Sequence, residues 1–136
     1  MTAYKQSDVL KVHEGFYAAY ANVSSQVLNA MRHLVSEHPS ASILYTGHSL
    51  GAALVTFAAV DVQEEINPSN LVYFYSFGSP RTGNQAFSDH VMTLFPSYFR
   101  MTHAADIVPH LPMTQLGFNH AGTEVWYNKA GLDLST

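Results

Sequence analysis

Residues 47–51 read Gly-His-Ser-Leu-Gly, a G-x-S-x-G pattern that can present Ser49 as a nucleophile toward an acyl group. Three fixed residues in five recur by chance, so the flanks carry the argument. A short apolar run, Ser42–Thr46, leads into the pattern, and a long apolar run from Leu50 to Glu65 leaves it. A buried strand turning sharply into a helix is the nucleophile elbow. In that turn Gly47 and Gly51 are expected to avoid side-chain clashes, and Ala52 and Ala53 to let the helix pack closely. The serine hydroxyl then stands above the sheet. The Leu50 N–H, at the helix start, faces the place where an oxyanion would form. A glycine-rich turn with an incidental serine is the bland alternative. A dinucleotide-binding loop fails, because Ser49 stands where a second glycine would admit a pyrophosphate.

A nucleophilic serine needs a base, and the base needs a group to orient it. Asp61 and Asp89 fall in helical patterns and are expected to be solvated, while Asp8 and Asp133 lie near the ends. Asp106 is different. It directly follows the third expected strand, Tyr98–His103, at the carboxyl edge of the sheet where Ser49 also sits. A loop-capping aspartate is the competing reading. Eight histidines are available as base, and chain order Ser, Asp, His favours His120.

The elements that must position these residues alternate. Residues 14–37 carry Phe16, Tyr20, Val23, Val27, Met31, Leu34 and Val35 at helical spacing, and Pro39 follows. Leu71–Phe77 reads as a second strand, 84–95 as a one-faced helix, and Thr123–Asn128 as a fourth strand. Strands alternating with helices predict an α/β domain over residues 1–136, with a mostly parallel sheet and helices on both faces. No internal linker or repeat divides the chain.

Composition narrows the class. Only 12% of the 136 residues are charged against 47% hydrophobic, which implies extensive burial. Six basic residues and a net charge of -4 give no nucleic-acid footprint. No apolar run is long enough for a membrane span, and residues 1–10 show no signal peptide. There is no cysteine, and serine acyl chemistry requires no metal or organic cofactor.

Five ordered motifs now resemble those of the class 3, fungal-type triacylglycerol lipases. They are Val12-His13-Glu14-Gly15-Phe16, the elbow from Thr46 to Ala53, and Phe77-Gly78-Ser79-Pro80-Arg81-Thr82-Gly83. Arg100-Met101-Thr102-His103 running on through Asp106-Ile107-Val108-Pro109 to Pro112, and Gly117-Phe118-Asn119-His120 through Tyr127, complete the set. The resemblance implies a partial α/β-hydrolase fold, Ser49 as nucleophile and Asp106 as triad acid. It implies hydrolysis of lipid carboxylic esters at a lipid–water interface, and a secreted setting. It turns His48 away from the site. It also displaces His120 as base, because the family's catalytic histidine lies in an Asp-His-x-x-Tyr segment beyond the last strand, which these residues lack. The family's oxyanion Ser or Thr and its lid precede the Val-His-x-Gly-Phe motif, where only ten residues stand before Lys11. The chain therefore reads as an internal fragment with little turnover of its own. An acyltransferase or thioesterase on the same fold, and a non-catalytic lipid-binding fragment, remain as alternatives.

Overall fold

The computed structural model describes residues 1–128; Asp133 falls outside them. Ten elements follow one another: β1 (Thr2–Ala3), β2 (Lys11–Val12), α1 (Glu14–Ala21), α2 (Ser24–Glu37), β3 (Ile43–His48), α3 (Leu50–Glu65), β4 (Val72–Phe77), α4 (Gln85–Leu94), β5 (Tyr98–His103) and β6 (Thr123–Tyr127). Two single 3₁₀ turns, Val108–His110 and Thr114–Leu116, interrupt the connection between β5 and β6. β3, β4, β5 and β6 pair in that order, all parallel. Each crossover therefore returns to the same end of the sheet, and all the carboxyl termini share one edge.

The strands were read nearly to the residue, since aromatic and β-branched runs fit a buried pleated surface. The single expected helix over residues 14–37 is instead two. Asn22 caps α1 and Val23 leaves helical geometry at φ −121° and ψ −5°. The break lets Tyr20 on α1 and Leu28 on α2 both reach the core. The pair β1–β2, antiparallel and two residues per strand, carries too short a pattern to show in the sequence.

Among the described residues the core closes on one face of the sheet. Tyr45, Phe74 and Tyr98 point to the face where Phe57, Val60, Phe87 and Val91 of α3 and α4 close the core. Their alternates point the other way: Leu44 and Thr46 on β3, Tyr73, Tyr75 and Phe77 on β4, Phe99 and Met101 on β5. None of these seven belongs to the core cluster. The sequence pattern reports that both faces are apolar, which is true here, but not what covers them.

Asp61 also departs from expectation. It is buried, on the inward side of α3. The Tyr4 hydroxyl donates to it at 2.5 Å and the Tyr20 hydroxyl at 2.7 Å, and Lys5 Nζ lies 2.8 Å away. Burial and the adjacent carboxylate push both tyrosine pKa values above their ordinary range. A helical aspartate is tolerated inside because its oxygens are satisfied. The partners come from residues 4, 5 and 20, too far away for a local pattern to reveal.

Candidate active site

Ser49 is the junction of β3 and α3. Its backbone stands at φ +52° and ψ −126°, a conformation that costs of order 1–3 kcal/mol for a residue with a side chain. Two bonds hold it there: the Ser49 N–H donates to Phe77 O at 3.0 Å, and the Ala52 N–H donates to Ser49 O at 2.9 Å. The expected role of the flanking glycines divides. A methyl group on Gly47 would lie 2.5 Å from the backbone oxygen of Gly51, whereas one on Gly51 would meet nothing within 4 Å. Only Gly47 is required by packing. Leu50 is the first helical residue, so its N–H has no partner within the helix. That donor and the positive end of α3 are what the elbow offers an anion.

Asp106 lies just past the carboxyl end of β5. Its Oδ1 accepts the Val108 N–H at 3.0 Å, and its own N–H donates to His103 O at 3.0 Å. Oδ2 faces Gly78, at the end of β4. A methyl group on Gly78 would stand 2.8 Å from that oxygen, and the backbone there has φ +54°. Gly78 thus keeps the carboxylate in place by having no side chain, a role the sequence reading missed. Its signal was a glycine directly after a strand in Phe77–Gly83. The Gly78 N–H donates to Met101 O at 2.9 Å, so backbone bonds step from Ser49 across β4 to β5 and set Ser49 and Asp106 on one edge.

His48 Nε2 would stand 3.6 Å from a methyl group on Gly78. A cavity of about 250 Å³ opens beside Asp106, walled by His103, His110, Glu124 and Trp126 among others.

His120 sits elsewhere. Its Nε2 lies 2.7 Å from the Pro109 carbonyl oxygen, to which the ring N–H donates. Burial, reinforced by the Arg100 charge, pushes its pKa down to about 4, so the ring is neutral at neutral pH. Arg81 is the second brace on this loop: its Nη1 donates to His110 O at 2.5 Å and to Pro112 O at 2.9 Å. The described hydrogen bonds join no imidazole to either Ser49 or Asp106.

The geometry now has comparisons to stand beside. A family model described as lipase (class 3) matches residues 1–116. The chain belongs to the class 3 lipase family. Relatives of this class 3 lipase chain include a lipase of Rhizomucor miehei, 39% identical over 119 residues, which are 85% of this chain and 32% of that protein. The secreted mono- and diacylglycerol lipase A of Penicillium cyclopium is 36% identical over 112 residues, 82% of this chain and 36% of its own length. Among solved structures is a triacylglycerol lipase whose catalytic centre is formed by a serine protease triad. It superposes with a TM-score of 0.88 at 35% identity, over 94% of this chain and 49% of that one. The α/β-hydrolase fold of the lipases is therefore the fold of this chain. The chain spans about a third of the curated relatives and about half of the solved one.

Proposed function

We propose that this chain supplies the nucleophile and the acid of a serine hydrolase that cleaves carboxylic esters of lipids. The observation that carries the reading is the strained Ser49 at the head of α3, bonded through β4 to the edge that also holds Asp106. Ser49 Oγ attacks the ester carbonyl and its proton passes to an imidazole. The Leu50 N–H stabilises the oxyanion. The alcohol leaves with that proton, and water then releases the acid from the acyl-enzyme. Asp106 orients the imidazole through Oδ2, the oxygen turned toward Gly78. His120 is not that imidazole, because its donor nitrogen is committed to Pro109 O and its pKa of about 4 is too low for a base working near neutrality. The chain's part is the nucleophile and its orienting carboxylate.

The test supplies the imidazole from solution. Residues 1–136 with added imidazole should cleave a short-chain p-nitrophenyl ester faster than imidazole alone, and Ser49→Ala should remove the difference. Rate enhancement that survives Ser49→Ala would place the chemistry on another residue.

A further inference from the structure

The 3₁₀ turn Val108–His110 is anchored at both ends by charged side chains. At its start Asp106 Oδ1 accepts the Val108 N–H at 3.0 Å. At its end Arg81 binds three successive carbonyl oxygens. The Arg81 backbone N–H donates to Leu111 O at 2.8 Å, and Nη1 donates to His110 O at 2.5 Å and to Pro112 O at 2.9 Å. Between these anchors the turn closes on itself. The His110 N–H donates to Ile107 O and the Leu111 N–H to Val108 O, both at 3.0 Å. Carboxylate and guanidinium thus satisfy the orphan groups at opposite ends of one short helical turn.

Arg81 also belongs to the segment that receives the carboxylate. Three residues before it, Gly78 faces Asp106 Oδ2, and a methyl group there would stand 2.8 Å away. The Gly78 N–H is tied to β5 through Met101 O at 2.9 Å. Residues 78–81 therefore hold both the space beside Oδ2 and the far end of the turn that Oδ1 starts.

We propose that Arg81 is a positioning residue for Asp106, setting where the carboxylate stands without touching the reacting groups. This rests on the reading of Asp106 as the group that orients the imidazole. Loss of the guanidinium frees the carboxyl end of the turn, while His120 still holds Pro109 O at 2.7 Å. The turn then pivots and does not unravel, and Asp106 shifts with the Val108 N–H that it accepts. Arginine suits this role because one nitrogen carries two protons in a fixed plane, and these reach carbonyls two residues apart. A misplacement of about 1 Å, introduced away from the chemistry, can cost about a hundredfold in rate.

The experiment compares Arg81→Gln and Arg81→Lys with unaltered residues 1–136. It measures cleavage of a short-chain p-nitrophenyl ester over a range of imidazole concentrations, and deuterium exchange of the backbone amides. In Arg81→Gln the imidazole-assisted rate should fall by about tenfold or more. The imidazole concentration giving half the maximal rate should rise, because a displaced carboxylate holds imidazole less well. A residue that only stabilised the fold would lower the rate with the folded fraction and leave that concentration alone. Arg81→Lys should recover part of both, and it serves in place of Arg81→Gln if circular dichroism shows that variant unfolded. Added to Asp106→Asn, Arg81→Gln should lower the rate no further, since the group it positions is already lost. The Val108 amide should exchange about tenfold faster in Arg81→Gln, while the Ser49 amide, bonded to Phe77 O, keeps its rate. Unchanged Val108 exchange overturns the proposal, and so does a full effect of Arg81→Gln on top of Asp106→Asn. Faster Val108 exchange in a protein whose ester cleavage survives Ser49→Ala supports the placement by Arg81 and overturns the reading of Ser49 instead.

Discussion

The elbow around Ser49 and the loop from Ala104 to Ala121 both serve the same edge of the sheet, yet they are built differently. The elbow is local. One glycine, one strained serine and two small residues shape it, and its main outside bond is Ser49 N–H to Phe77 O. The loop is held from a distance. Arg81, 29 positions before His110, clamps two of its carbonyls, His120 binds a third, and Gly78 gives Asp106 its space. An elbow can therefore be written into a few consecutive residues, while the setting of Asp106 depends on residues scattered over about 40 positions.

The contrast can be broken first at Gly47. Gly47→Ala sets a methyl group 2.5 Å from the Gly51 carbonyl oxygen, a backbone atom that cannot swing aside. We expect a loss of more than about 3 kcal/mol in urea unfolding, or failure to fold. The loop should respond next. His120→Ala strands the Pro109 carbonyl and should cost about 2 kcal/mol while leaving imidazole-assisted attack by Ser49 unchanged. Loss of that attack at unchanged stability would return His120 to the candidates for base.

The same residue makes a pH prediction. The His120 pKa is lowered to about 4 in the fold from an ordinary value near 6.5. Below pH 6.5 the unfolded chain takes a proton that the folded one refuses. The stability His120 contributes is thus present above 6.5 and lost as pH falls toward 4, by up to about 3 kcal/mol. Denaturation midpoints across that window should flatten in His120→Gln; an unaltered slope would move the titration to another group.

Asp106→Asn should cost about 1 kcal/mol or less, because the new side chain still accepts the Val108 N–H. Its imidazole-assisted rate should nevertheless fall toward background, since an amide no longer stabilises the imidazolium. The smallest effect is the sharpest contrast with Gly47. Gly51→Ala enters open space inside a helix and should raise stability by about 0.5–1 kcal/mol.

The same division explains what could be read from the sequence. β3, α3 and β5 were legible because period and turn residues report local structure. Asp106 was legible because it directly follows a strand whose carboxyl edge was already known. Asp61 was not, since its partners Tyr4 and Tyr20 lie 57 and 41 positions away. Gly78 was missed as a support because what it makes room for, Asp106, lies 28 positions on.

The central claim is that Ser49 is the reactive hydroxyl of this edge. The most direct measurement is covalent labelling of residues 1–136 with a fluorophosphonate in the presence of imidazole, followed by mass mapping of the adduct. One phosphonyl group on the peptide that contains Ser49, and none on Ser49→Ala, is the expected result. An adduct on Ser42, Ser76 or Ser79, or equal labelling of Ser49→Ala, would contradict it.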